Sequence, residues 1–177
     1  FSALADRRPD WDLVILGDGE LRQSLKDRVP AHLRSRVVWT GFINDAPTIA
    51  AVLACCHVMS LPGDFEQWGL VLNEGAASGL ALVTSDIVGA SFDLVEEGVN
   101  GRRHPPGDLP RLTACLLDVT DPDRNDAMRA ASHRVLAEYR RRCDPVAGLR
   151  AALRASGVIG DQVGTASESG SAASSGS

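Results

Sequence analysis

Five short strand-like runs, each followed by a turn or helix signal, constrain this chain more than any other feature of it. They are WDLVIL at 11–16, RVVWT at 36–40, HVMSL at 57–61, ALVT at 81–84 and GRRH at 101–104. Gly17-Asp18-Gly19, Gly41-Phe42 and Pro62-Gly63 stop the first three. Leu21 and Leu25, then Ile49, Val52 and Leu53, recur at helical intervals between them. Asp45 with Pro47 suits a helix start, and Asp108 caps a further helix expected over 109–117. Strands that alternate with helices at spacings of about 20 residues need crossovers, which cover both faces of a parallel sheet. The expected fold class is α/β.

Beyond Asp121-Pro122-Asp123 the pattern turns wholly helical. One helix is expected over 124–141, with Ala127, Ala131, Val135 and Tyr139 on its apolar stripe, and another over 144–154. From 156 to 177 the chain is Gly, Ser, Ala and Thr with few apolar anchors, so that end is expected as a disordered tail after a domain over 1–155.

Composition excludes several classes. A net charge of −5 argues against nucleic acid as a partner, because neutralising phosphates needs a basic face. The run Arg140-Arg141-Arg142, with Arg134, reads as a solvated helix face. No apolar run approaches the roughly 18 residues needed to span a bilayer. Four cysteines form no CxxC pair and have no His at zinc spacing, so reduced, cytoplasmic thiols are the simplest fit. His57 is expected as a buried structural residue. The chain opens without Met on what reads as the last turns of a helix, and is expected to lack a preceding part.

Chemistry concentrates in DFEQWGLVLNEGAASGLALVTSDIVGASFDLVEEGVNG, residues 64–101. In a parallel sheet, ligands bind beyond the carboxyl ends of the strands, and the loop leaving HVMSL sits on that edge. The helix after this loop is expected to begin between Gly69 and Leu72, so its unpaired N–H groups and dipole would cradle a diphosphate. Gly69 lets a ligand approach the backbone. Glu74, in the first turns of that helix, would accept from a ribose diol, while Glu66 would reach another part of the ligand. The plain alternative is that both carboxylates merely favour the helix N-terminus and that Trp68 packs. Gly17-Asp18-Gly19 is either a phosphate-approach turn or an ordinary one, since the third glycine of a dinucleotide fingerprint is absent.

Glu66-x7-Glu74 in EQWGLVLNE, followed by GAASGLALVTSD and VGASFDLVEEGVNG, resembles the C-terminal, donor-binding half of retaining GT-B glycosyltransferases of the group 1, family 4 type. LVILGDGELRQSL and RVVWTGFIND match upstream in the same order. The resemblance implies a Rossmann-like parallel sheet, one half of a GT-B fold, with a helical C-terminal segment. It implies that Glu74 binds the nucleotide ribose and that Glu66, as the catalytic residue, contacts donor-sugar hydroxyls near C3 and C4. The segment Gln67-Trp68-Gly69-Leu70 would meet the sugar and diphosphate, and Gly41-Phe42-Ile43 the nucleobase edge. The co-substrate would be a UDP- or GDP-linked sugar, with no metal or other cofactor. The acceptor, whether a sugar, a lipid-linked sugar or a small molecule, is unassigned. Relatives that meet lipid-linked acceptors would work peripherally at the inner membrane face.

Three departures from the family pattern matter. Ala81 replaces a usual proline, Gly89-Ala90 replaces paired glycines, and Asp93 replaces a glutamate. The family's diphosphate-binding Arg and Lys, its first strand and its N-terminal acceptor domain have no counterpart here. The fragment alone is therefore expected to be inactive. Two other readings stand beside this one. The first is a non-catalytic module that binds a nucleotide or a partner; the second is a hydrolase or phosphorylase using Glu66 and Glu74 as paired carboxylates.

Overall fold

The computed structural model describes residues 1–159. They fall into two compact units, 1–142 and the part from Cys143 onward. The first unit runs α1 (Ser2–Ala5), β1 (Leu13–Leu16), α2 (Arg22–Arg28), a 3-10 helix (Ala31–Arg36), β2 (Val37–Gly41), α3 (Ala46–Ala54), β3 (Val58–Leu61), α4 (Leu70–Ala77), β4 (Ala81–Ser85), α5 (Ser91–Leu94), β5 (Gly101–His104), α6 (Leu109–Val119) and α7 (Pro122–Arg142). The second unit holds α8 (Pro145–Ala155). Among the described residues, no helix is long and apolar enough to cross a membrane. The expected disordered tail lies, from 160 onward, outside the described residues.

All five expected strands form, and every pairing is parallel. They make two ladders, β1–β2 and β3–β4–β5. In the second, β4 is buried along its whole length, and its alternate residues feed two cores. Leu82 points to one face, with Leu53 of α3, Leu72 and Ala76 of α4, Leu94 of α5 and Leu136 of α7. Ala81 and Val83 point to the other, with Cys115 and Val119 of α6 and Met128 of α7. Burial on both faces is why ALVT reads as a continuous apolar run rather than an alternating one. β1 and β3 differ: each is paired on one edge only, and their LVIL and VMSL side chains are half-buried at best.

The helix starts follow from their caps. Asp45 accepts from the Thr48 N–H at 2.8 Å, Asp108 from the Arg111 N–H at 2.8 Å, and Asp144 from the Val146 N–H at 2.8 Å. Each has proline one or two positions later, where a missing N–H costs nothing. α4 stops at Gly79, whose φ of +67° suits glycine.

Two expectations need correction. The stripe on α7 matches the expected one only in part: Val135 is buried and Ala131 and Tyr139 are half-buried, but Ala127 is exposed, and Asn125, Met128, Ser132 and Leu136 are buried as well. The Ser132 hydroxyl donates to the Leu80 carbonyl at 2.6 Å, which rotates a polar residue into the core. His57 is exposed rather than buried, and meets the Trp11 ring edge-on at 5.7 Å. It precedes β3 instead of lying in it, so no neighbouring strand covers it.

Candidate functional site

The loop between β3 and α4 is tied down at several points. The Thr84 hydroxyl donates to the Leu61 carbonyl at 3.1 Å, and the Ser85 hydroxyl to the Gly63 carbonyl at 2.6 Å. These bonds fix the loop's entry to the carboxyl end of β4. Further along, the Ala90 N–H donates to the Trp68 carbonyl at 2.8 Å. The Trp68 ring lies 6.2 Å from that of Tyr139 on α7 and stays 37% exposed.

Within the loop, Glu66 folds back on the helix it precedes. Its Oε1 accepts from the Trp68 N–H at 3.3 Å and the Gly69 N–H at 3.1 Å. These bonds brace the turn ahead of α4, whose N-cap, Gly69, carries no side-chain cap bond, and the helix dipole favours the charge there. The Gly69 backbone turns left-handed at φ +85°, and a Cβ there would sit 2.6 Å from Val88 Cγ1. Only glycine fits that turn and that approach together. Glu66 Oε2 and the N–H groups of Leu70 and Val71 have no hydrogen-bond partner among the described residues. One carboxylate oxygen and two helix N–H donors thus remain free at the same chain segment.

Glu74 stands one turn into α4, four residues after Leu70. Leu72, Gly75 and Ala76 face the core, while Leu70, Val71 and Glu74 are exposed. The Glu74 carboxylate has no partner among the described residues. Its helix can sit so close to β3 because a Cβ on Gly75 would lie 2.6 Å from Met59 Sδ. Gly41-Phe42-Ile43 lies at the carboxyl end of β2, with Phe42 77% exposed. The Glu66–Glu74 segment and Gly41-Phe42-Ile43 therefore sit at carboxyl ends of strands in different ladders. No hydrogen bond or ring contact among the described residues joins them directly.

The turn after β1 is occupied by its own charges. The Gly19 N–H donates to Asp18 Oδ1 at 2.8 Å, and Arg22 pairs with Asp18 at 2.5 Å. The Gly19 N–H, with help from Arg22, holds the Asp18 carboxyl below its usual range. A carboxylate at that position opposes an approaching phosphate, which favours the ordinary-turn reading.

Of three buried side-chain groups left without a partner among the described residues, two lie on α4 and α5. Asn73 Nδ2, beside Glu74, and Ser91 Oγ, at the start of α5, are buried with no hydrogen-bond partner among the described residues. A polar residue inside LVLNEGAA was the only available sign of the first; nothing marked the second. Among the described residues, no group of three or more His, Cys, Asp or Glu is placed to hold a metal ion.

A family model described as glycosyl transferases group 1 matches residues 1–121. Alpha-D-kanosaminyltransferase of Streptomyces kanamyceticus is 33% identical over 129 residues, covering 71% of this chain and 32% of the relative. Among solved structures, HepE of Anabaena in complex with UDP superposes with a TM-score of 0.66 at 24% identity, covering 89% of this chain and 44% of that one. The C-terminal domain of a group 1 glycosyl transferase from Francisella tularensis gives a TM-score of 0.68 at 20% identity, covering 77% of this chain and 74% of that domain. The chain thus spans about a third of the curated relative's length.

Proposed function

The chain belongs to the group 1 glycosyltransferase family, and from that premise we propose that it is the donor-binding half of an enzyme that transfers a sugar from a nucleotide-sugar, with retention, to an acceptor. The observation that carries this reading is the free donor–acceptor set at the β3–α4 junction. Leu70 and Val71 offer helix N–H groups, Glu66 a spare carboxylate oxygen, and Glu74 an unpartnered carboxylate on the same exposed helix face. A diphosphate suits the N–H groups and the positive end of the α4 dipole. A vicinal diol suits each carboxylate. Glu74 takes the ribose, and Glu66, held by the Trp68 and Gly69 N–H groups, takes the donor-sugar hydroxyls as the catalytic contact. Gln67, Trp68 and Gly69 line the path between them, and Gly41-Phe42-Ile43 borders the base. The base is uracil or guanine; UDP in the Anabaena neighbour supports the former. Charge on the leaving diphosphate is met by backbone donors and basic side chains rather than a metal.

The half-exposed β1 and β3, each with a free edge, support a further strand between them in the whole enzyme. An N-terminal acceptor domain would then close over the carboxyl edge, exclude water and complete the site, leaving this half inactive alone. The enzyme would act in the cytoplasm, at the inner membrane face where its acceptor is lipid-linked.

Calorimetric titration with UDP, GDP and ADP, on this chain and on Glu74→Gln, tests the reading. Saturable binding of one nucleotide, weakened about tenfold in the variant, is expected. No binding by a chain that also carries an N-terminal domain would refute it.

A further inference from the structure

A second recess opens beyond the carboxyl ends of β4 and β5, one strand over from the loop that carries Glu66. It has a volume of about 500 Å³ and is lined by Asp86, Phe92, Glu97, Arg103, His104 and Arg111 among others. The Asp86 N–H donates to the His104 carbonyl at 2.9 Å, which pins the two strand ends together beneath it.

Its polar groups divide into those already used and those left free. Glu97 is used: it accepts from Arg102 at 3.2 Å and from the Arg103 N–H at 3.1 Å. Arg103 is held in place, its guanidinium 5.1 Å from the Phe92 ring centre and 3.9 Å from Glu97. The side chains of Asp86 and Arg111 have no partner among the described residues. His104 is only 2% exposed, and its Nδ1 lies 2.8 Å from the Pro105 carbonyl oxygen. A carbonyl only accepts, so Nδ1 carries the proton. Nε2 is buried without a partner, and in the neutral ring it is an acceptor awaiting a donor. An acceptor left unpaired there is unfavourable, and a bound hydroxyl would satisfy it.

We propose that this recess binds a small hydroxylated phosphate ester. Arg111 and the anchored Arg103 take the phosphate, and His104 Nε2 and the Asp86 carboxylate accept from hydroxyls. The site is separate from the donor site and does not depend on that assignment.

The test is calorimetric titration of this chain with glycerol 3-phosphate and with inorganic phosphate. Glycerol 3-phosphate should saturate in the millimolar range or tighter, and Arg111→Gln should weaken it about tenfold. Arg111 is exposed on α6, so its variant should melt like the parent. Asp86→Asn should weaken glycerol 3-phosphate but not inorganic phosphate, and Glu74→Gln should change neither. Absence of saturation, an unchanged affinity in Arg111→Gln, or loss of binding in Glu74→Gln would each overturn the proposal.

Discussion

Gly89 lies against the carbonyl of Gln67 so closely that a Cβ added to it would stand 2.3 Å from that oxygen. The contact joins the turn after β4 to the loop that presents Glu66. Because the obstruction is backbone, no side-chain rotation relieves it. Gly89→Ala should push the 66–69 loop outward, cost about 1–3 kcal/mol as overpacking does, and weaken nucleotide-sugar binding with it. Gly19→Ala is the control, since a Cβ there meets nothing within 4 Å. Urea melts and donor titrations of the two variants check this; equal melts would mean the loop yields freely.

Glu66 is asked to do two jobs, and substitutions separate them. Glu66→Gln keeps an oxygen for the Trp68 and Gly69 N–H groups, so it should melt close to the parent. Glu66→Ala leaves both donors bare and should lose about 0.5–1.5 kcal/mol, as lost hydrogen bonds do. The free nucleotide should bind both variants as it binds the parent. The extra affinity of the nucleotide-sugar over the nucleotide should fall in both. A nucleotide affinity that drops as far as the nucleotide-sugar affinity would move Glu66 out of the sugar contact.

Several local features of the candidate site are legible in the sequence, for a physical reason. Glycines that admit a backbone approach and carboxylates near a helix start are local requirements, and EQWGLVLNE carries them all within nine residues. The caps at Asp45 and Asp108 were equally local. What escaped depends on contacts between distant elements. Glu66 receives the Gly69 N–H where Gly69 turns left-handed against Val88. Ser132 enters the core only because the Leu80 carbonyl waits there. The division into two ladders is invisible in a count of strands, because pairing is a property of edges rather than of any one run.

Acid stability should carry the signature of Asp45. The Thr48 hydroxyl and then the Thr48 N–H hold its carboxyl below the ordinary value of 3.8. A folded-state pKa lowered in this way stabilises above the unfolded value, and that contribution is lost as pH falls through the folded one. Asp45→Asn should therefore be less stable than the parent near neutrality. The difference should shrink as pH drops below about 4. Melting temperatures across pH 2.5–7 check the sign; a gap that widens in acid would contradict the cap.

Asn100 is the polar residue on which the β4–β5 corner depends. It is fully buried, its Oδ1 accepts from the Glu96 N–H at 2.8 Å, and its Nδ2 donates to the Leu94 carbonyl at 2.8 Å. Asn100→Ala strands both backbone groups and should cost about 2–4 kcal/mol. Asn100→Asp keeps the first bond but turns a carboxylate oxygen toward the Leu94 carbonyl. Burial and that repulsion raise the new carboxyl's pKa above its unfolded value, so the penalty grows as pH rises past about 4. Once protonated, the acid donates to Leu94 and restores the second bond. Asn100→Asp should accordingly be the less stable of the two variants at neutral pH and the more stable one in acid. Urea melts at both ends of that range decide the matter, and two curves that never cross would mean that the Nδ2 bond contributes nothing.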